Sequence, residues 1–306
     1  MVESPVLYIT FARPEYASQS FAAIKKAQPK KLYFYSNKAR CNRPDEILRN
    51  DEVRSYVQQI DWDCEVKTWF RDEYVDIYTS LWGAMDWLFD NEPMGIVLEE
   101  DCVASGAFFD YCDQLLPKYK DEKKVWIISG DNYTPEANPK DLDYFFVHSA
   151  HIYGWASWTD RWHSLDRKME RWNEVSLCKR IRYNGSLLQT FWGWYRMRSI
   201  HKNIDTKNPW DFIFSFNKIL NDGLGIIPKK NLVSDIGTYG VHHTAITSTT
   251  TDANLINEDK SFPIVNEPKE IIRDEHYDCY CFYHHDFYPT IRRKWRKILQ
   301  KMHITK

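Results

Sequence analysis

The chain of 306 residues has no apolar run of the roughly 20 residues needed to cross a bilayer. Its first residues lack the basic and apolar regions of a signal peptide. We therefore expect a cytoplasmic protein, in which thiols stay reduced. The seven Cys residues are scattered, and only Cys279 and Cys281 lie close together, which predicts free thiols rather than disulfides or a zinc site.

Neither sign of charge is in large excess, because the formal net charge is only -2. A chain with so little net charge has no basic field over its whole surface, so we expect no nucleic-acid partner. Hydrophobic residues make up 43% and charged residues 27% of the sequence. This composition is typical of a globular domain and excludes a disordered chain.

Three glycine-dependent motifs are missing as well. The sequence has no Gly-x-Ser-x-Gly elbow, no Gly-x4-Gly-Lys-Ser/Thr phosphate loop and no Gly-x-Gly-x-x-Gly after a strand. These absences argue against an α/β-hydrolase, a P-loop nucleotidase and a Rossmann dinucleotide-binding enzyme.

Strand-like and helix-like segments alternate over the first 130 residues. Short apolar runs before turn residues predict strands, and apolar residues on one side of a segment predict helices. The predicted strands are 6–10, 31–35, 66–70, 95–98 and 125–130, and the predicted helices are 15–27, 74–89 and 108–119. Further on the pattern is less regular: an apolar segment at 144–147 and an aromatic cluster at 153–162 precede a predicted helix at 210–221 and a predicted short strand at 224–228. This order predicts an α/β fold, a three-layer α/β/α sandwich around a mostly parallel sheet.

Three adjacent carboxylates, Glu99, Glu100 and Asp101, follow the predicted strand 95–98. They repel one another, and a bound cation would relieve that repulsion. Mn²⁺ or Mg²⁺ fits because these ions take oxygen ligands, one or two from protein and the rest from water and substrate phosphates. The residues alone leave open whether the run holds a metal ion or is only solvated.

Other candidates each have a structural alternative. Asp211 begins a predicted helix, so it either caps that helix or acts as a general base on an acceptor hydroxyl, with Trp210 as a sugar-stacking wall. Arg13 and Arg71 follow predicted strands and either pair with a diphosphate or are solvated. His243 binds a metal or a phosphate, or has a structural role.

Taken in order, several segments resemble bacterial nucleotide-diphospho-sugar glycosyltransferases of the GT-A fold. This haemolytic-protein-like family is distantly similar to the N-acetylglucosaminyltransferase I type. The resemblance covers residues 6–244, and Glu100 stands where the family usually has Asp. The segments that carry it are FARPE (11–15), IVLEEDC (96–102), FFDYC (108–112), ISGDN (128–132), YGWASWTDRW (153–162), WD (210–211) and LVSDIG (232–237), followed by His243 and Thr244.

The resemblance implies site residues. It makes Asp101 the direct metal ligand, His243 a further metal or diphosphate contact, and Asp211 the acceptor-side base of an inverting enzyme. We expect the donor to contact Thr10, Phe11, Arg13, Asn37, Arg71, Glu99 and Glu100. The residues expected to contact the acceptor are Trp155 and Trp210.

The predicted domain organisation follows from the same resemblance. Residues 1–245 would form the GT-A domain, with 1–130 binding the nucleotide-diphospho-sugar and 131–245 the acceptor, and 246–306 would form a loop and a basic helix. The predicted enzyme is a metal-dependent, inverting glycosyltransferase acting on a hydroxyl of a glycan or glycolipid, as in polysaccharide biosynthesis.

Two alternatives to this function remain open. A sugar-phosphate nucleotidyltransferase would carry a Gly-rich basic loop after the first strand, where this chain has FARPE. A catalytically inactive carbohydrate-binding protein would not need carboxylates at both Asp101 and Asp211.

The predicted C-terminal helix is strongly basic. Residues 291–306 interleave Arg and Lys with Trp295 and aliphatic residues. The pattern predicts either a solvated terminal helix or an amphipathic helix on the inner face of an anionic membrane, where lipid-linked acceptors reside.

Overall fold

A computed structural model of the chain describes residues 1–237 and 258–301. Within these residues, eight strands form one central sheet and two form a small second sheet. The strands of the central sheet are β1 (Val6–Thr10), β2 (Lys31–Ser36), β3 (Glu65–Phe70), β4 (Met94–Glu99), β6 (Val125–Ser129), β7 (Tyr144–Val147), β8 (Trp155–Trp158) and β9 (Leu224–Pro228). The small sheet pairs β5 (Cys102–Ala104) with β10 (Val233–Asp235).

The central sheet is mostly parallel, in the order β3-β2-β1-β4-β8-β6-β9-β7. Only β7 and β8 run against the other six strands. The chain builds outward from β1 to β3 and then returns to place β4 on the other side of β1. Such a switch point opens a crevice at the carboxyl ends of its two strands, here β1 and β4.

Helices connect the strands and cover the sheet. In the described part of the chain they are α1 (Pro14–Ala27), α2 (Pro44–Ser55), α3 (Ile77–Asn91), α4 (Gly106–Tyr119), α5 (Thr159–His163), α6 (Leu177–Asn184), α7 (Leu187–Lys202), α8 (Trp210–Leu220), α9 (Glu275–Cys281) and α10 (Tyr288–Lys301). A π-helical stretch, Phe282–Phe287, joins α9 to α10.

Alternate side chains of β1 show the three layers directly. Val6 and Tyr8 pack into one apolar cluster with α1 and α4, while Leu7 and Ile9 pack into a second cluster with α3 and α8. Successive strand residues point to opposite faces, so a strand buried on both faces must be apolar throughout. The predicted fold class, an α/β/α sandwich around a mostly parallel sheet, is therefore confirmed.

Residues 258–301 form a C-terminal extension that packs on the domain. The Phe146–Arg273 bridge places it beside β7, and Tyr277 of α9 contacts the Phe145 ring at 5.0 Å. The predicted basic helix is present as α10, which begins at Tyr288. None of the described helices has the length and apolar character needed to span a membrane.

The seven Cys residues are free, as predicted. The division of residues 1–245 into a donor half and an acceptor half stays a prediction. One continuous sheet takes its strands from both halves.

Candidate active site

A cleft of about 1030 Å³ opens at the switch point between β1 and β4. Its walls are the segments that follow β1 and β4 and the first turns of α2 and α3. Its volume lies at the upper end of the range for small-molecule sites. The cleft brings together most of the predicted donor and metal residues: Thr10, Phe11, Arg13, Asn37, Glu99, Glu100 and Asp101.

Arg13 joins the two loops that form the cleft floor. Its Nε donates to Glu100 Oε1 at 2.6 Å, and its Nη1 lies 2.9 Å from Asp101 Oδ2. Glu100 is only 3% exposed, and its Oε2 also accepts the Phe11 N–H at 2.8 Å. Glu100 therefore fixes the segment after β1 against the segment after β4, so we assign it a positioning role.

The acidic loop is electrostatically strained. Burial, reinforced by the charge of Asp101, raises the pKa of Glu99 to about 8. Burial also raises the pKa of Glu100, although Arg13 opposes that rise. A group of carboxylates that share one arginine is a place where additional positive charge would bind favourably.

Two further carboxylates for which no role was predicted, Asp235 and Asp131, interact with each other, and Asp235 lies near Asp101. The β5–β10 pairing sets Asp235 opposite Cys102, and a side chain on Gly237 would lie 2.5 Å from Asp101 Oδ2 and 3.1 Å from Asp235 Oδ1. Asp131 follows β6, and its Oδ1 is buried without a hydrogen-bond partner among the described residues. Burial raises its pKa well above the usual value, and the charge of Asp235 adds to that rise.

A signal for both residues existed in the sequence. Asp131 follows the predicted strand 125–130, and both residues lie within segments that carry the family resemblance. What the sequence could not show was the antiparallel pairing that brings Asp235 back to Asp101, because that contact joins residues more than 130 positions apart.

The carboxylates near Asp101 fit a divalent ion only if further ligands complete the coordination of that ion. Within residues 1–237 and 258–301, no three His, Cys, Asp or Glu side chains gather closely enough to hold an ion. Mg²⁺ and Mn²⁺ sites commonly use one or two carboxylates and take their other ligands from water and phosphate. Asp101, with Asp235 beside it, matches that arrangement, whereas His243 lies outside the described residues.

Asp211 lies in the first turn of α8, behind Pro209, which occupies the N-cap position. Its side chain is therefore not the N-cap of this helix. Burial raises the pKa of Asp211, the backbone N–H groups of Asp211 and Phe212 oppose that rise, and no charged side chain of the described residues contributes to it. Because a short turn joins α8 to β9, the beginning of α8 lies at the edge where the parallel strands end. Asp101 lies at the same edge of the sheet, although Asp211 itself does not line the cleft.

The two tryptophans predicted to contact the acceptor lie in the core. Trp155 and Trp210 are 1% and 4% exposed and stack on each other with centroids 4.9 Å apart. Trp162 and Phe214 pack around them. Neither ring has an open face for a sugar, and the prediction is corrected accordingly.

The open aromatic wall of the cleft is instead Phe11 with Tyr74. Their centroids lie 6.4 Å apart, and Tyr74 is 45% exposed. The guanidinium of Arg40 lies over the Tyr74 ring and pairs with Glu46. An exposed ring beside cations suits a nucleobase or a sugar, because both present flat or apolar faces.

Arg71 is not brought to this cleft. Its Nε donates to the Tyr35 hydroxyl at 2.5 Å, and its guanidinium lies 4.5 Å from the Trp69 ring. These contacts give Arg71 a structural role next to β3. The arginines that line the cleft besides Arg13 are Arg40, Arg43 and Arg49.

Comparison with known proteins gives fold-level likenesses only. No family model and no curated protein matches the chain. Among solved structures, mouse xyloside xylosyltransferase 1 is 11% identical with a TM-score of 0.39, covering 73% of this chain and 84% of that one. GlyE, a glycosyltransferase of Streptococcus pneumoniae, is 10% identical with a TM-score of 0.34, covering 72% and 44%.

A UDP-glucose pyrophosphorylase is 8% identical with a TM-score of 0.37, covering 78% of this chain and 94% of that one. These proteins include both glycosyltransferases and a nucleotidyltransferase. At such scores they decide neither the reaction nor the substrate of this chain, and its membership of the resembled family stays a prediction.

Proposed function

We propose that the chain is a glycosyltransferase that moves a sugar from a nucleotide-diphospho-sugar to a hydroxyl of a glycan or lipid-linked glycan. The observation that carries this proposal is the cleft at the β1/β4 switch point, which combines strand-end carboxylates, Arg13 and an open aromatic wall. Crevices at this position in open α/β sheets are where nucleotides bind.

The residues of the cleft have different proposed roles, which follow from their surroundings. Glu100 and Arg13 hold the two loops in register, and the Phe11–Tyr74 wall offers a stacking surface for the base. Asp101, supported by Asp235 and in our proposal by His243, would hold Mn²⁺ or Mg²⁺. When bound, such an ion supplies charge neutralisation for the leaving diphosphate.

Asp211 is the proposed general base. A raised pKa and the absence of a cationic partner among the described side chains leave its carboxylate able to take a proton. In the proposed reaction the acceptor oxygen attacks the anomeric carbon as the bond to the diphosphate oxygen breaks. The hydroxyl proton passes to Asp211, and direct displacement inverts the anomeric configuration.

Product analysis with a panel of sugar nucleotides tests the proposal against its alternatives. A glycosyltransferase of the proposed kind releases nucleoside diphosphate from the donor, increasingly so when Mn²⁺ and an acceptor are present. A nucleotidyltransferase instead forms nucleoside triphosphate from the sugar nucleotide and pyrophosphate. A binding protein shifts its melting temperature with the ligand but turns nothing over.

Asp101→Asn supplies the matched test of the site. We expect it to lower metal-dependent turnover by at least 100-fold and to leave the melting temperature nearly unchanged. Asp63→Asn, an exposed carboxylate before β3 at the opposite edge of the sheet, is the control and should keep full activity. Full activity of Asp101→Asn with Mn²⁺ would remove Asp101 from the metal site.

A further inference from the structure

Positive charge is concentrated in two stretches of the chain. Residues 177–202, which form α6 and α7, contain six Lys and Arg and no Asp or Glu. Residues 288–301, which form α10, contain six more and again no acid. The whole chain has 41 basic and 43 acidic residues, so these stretches oppose its net charge and create a local basic field.

The outer face of α7 is apolar over two turns. Leu187, Phe191 and Tyr195 are spaced four apart, and Leu188 lies beside them. These four side chains are 57%, 59%, 80% and 41% exposed, respectively. Residues at this spacing share one face of a helix, and a contiguous exposed apolar patch of this kind marks an interaction site.

The same face of α7 becomes basic further along the helix. Arg198 and Lys202 continue the helical spacing of Phe191 and Tyr195, and both are exposed. Apolar side chains and cations thus occupy one surface, as in helices that lie in a membrane interface.

The π-helical stretch that leads into α10, together with Lys294 of α10, is fixed beside α7 at Trp192 and Arg196. Phe287 lies 5.2 Å from the Trp192 ring, and Lys294 Nζ lies 5.5 Å from it. Asp286 accepts the Trp192 Nε1–H at 3.1 Å and pairs with Arg196 at 3.3 Å. These contacts align the basic helix with the apolar face of α7.

We propose that α7 and α10 together form a binding surface for an anionic lipid bilayer. Leu187, Leu188, Phe191, Tyr195 and Trp295 would enter the headgroup boundary, and Arg198, Lys202, Arg292 and Lys294 would contact lipid phosphates. The surface extends the membrane contact predicted from residues 291–306 to α7, a helix for which no role was predicted. It does not depend on the reaction in the cleft.

A bilayer fits both properties of the surface. Nucleic acid would pair with the cations but would leave Leu187, Leu188 and Phe191 without an apolar partner. A lipid interface offers an acyl boundary for the apolar side chains and phosphates for the cations, and each contributes to the free energy of binding.

Co-sedimentation with vesicles of phosphatidylcholine, with and without phosphatidylglycerol, tests the proposal on the chain of 306 residues. We expect the protein to pellet only with the anionic vesicles, and less so at high salt. The double variant Phe191→Ser/Tyr195→Ser should lower the partition coefficient by about tenfold or more, because two apolar anchors are lost. Arg198→Gln/Lys202→Gln should lower it roughly 20- to 30-fold.

The control is Lys120→Gln/Lys140→Gln, which removes two exposed cations outside both stretches and should partition as the wild type does. Unchanged melting temperatures will show that each variant is folded. Equal pelleting of the wild type and both surface variants would overturn the proposal. So would a lipid-free dimer that the Phe191→Ser/Tyr195→Ser variant converts to a monomer, because the face would then join two copies of the chain.

Discussion

Glu99, Glu100 and Asp101 are adjacent in sequence, but their side chains have different surroundings. Glu100 turns inward to the Phe11 N–H and to Arg13, whereas Asp101 shares Arg13 and lies near Asp235. The extra methylene that distinguishes Glu100 from the Asp of the resembled family lets its carboxylate reach both partners across the cleft floor. The sequence identified the acidic run, but only the structure separates the positioning residue from the proposed ligand.

The proposed base can be tested without disturbing the fold. Asp211→Asn keeps the shape of the side chain and removes its ability to accept a proton. We expect kcat to fall by about 10²–10⁴-fold while donor Kd stays nearly unchanged. Because Pro209 occupies the N-cap, the loss of stability should be small, at most about 1 kcal/mol from the helix dipole.

Asp205→Asn is the control for this variant, because Asp205 is an exposed carboxylate shortly before α8 that pairs with the likewise exposed Lys168 at 2.8 Å. The measurements are kcat, donor Kd and melting temperature for both variants. A normal kcat with a lowered melting temperature in Asp211→Asn would give this carboxylate a structural role and leave the proton acceptor unassigned.

At the scale of elements, the sequence predicted best where a strand is buried on both faces. β1, β2, β4 and β6 are continuous apolar runs before turn residues, and each is observed close to its predicted position. β8 was not predicted, because Trp155 and Trp158 alternate between opposite faces of the sheet within a general aromatic cluster. A buried ring and a ring that stacks on a sugar have the same sequence signature.

α7 could not be predicted for a related reason. Its apolar residues lie on the exposed face as well as the buried one, so no single apolar side marks the helix. The surroundings of the cleft were harder still to predict, since Asp235 and Tyr74 reach them only through strand pairing and loop placement.

Two glycines in different elements give a contrasting prediction. Gly237→Ala would place a methyl group 2.5 Å from Asp101 Oδ2, whereas Gly193→Ala on α7 meets nothing within 4 Å. We expect Gly237→Ala to raise the Mn²⁺ concentration needed for half-maximal turnover roughly 10-fold or more, because the ligand carboxylate must turn away. Gly193→Ala should stabilise the protein by about 0.5–1 kcal/mol through the helix and leave turnover unchanged.

Titrating turnover against Mn²⁺ and measuring urea unfolding for both variants checks this pair. An unchanged Mn²⁺ dependence in Gly237→Ala would show that Asp101 can move without consequence for the reaction.

At the scale of the whole molecule, a buried polar network joins the C-terminal extension to the sheet domain. Asp278 of α9 is fully buried, pairs with Arg273 at 2.5 Å and accepts the N–H groups of His148 and Ser149. Lys218 of α8 completes the network by donating to the His148 carbonyl at 2.8 Å. The extension is therefore an integral part of the fold, and the charge state of this network contributes to global stability.

Because of Lys218, the contribution of this network to the free energy of unfolding changes with pH in the alkaline range. Burial lowers its pKa from 10.5 to about 8, although Asp278 opposes the shift. Between these two values the unfolded chain binds a proton that the folded protein does not, so the free energy of unfolding from this group rises with pH. Across pH 8 to 10.5 the gain in the free energy of unfolding approaches roughly 3 kcal/mol, at 1.36 kcal/mol per pKa unit.

The variant Lys218→Met should lack this pH-dependent gain. It serves as the reference, because the other groups that titrate at alkaline pH do so equally in both proteins. Urea unfolding from pH 7 to 10.5 should show the free energy of unfolding of the wild type rising relative to that of the variant above pH 8. If the two free energies changed with pH in parallel, Lys218 would stay charged in the folded protein.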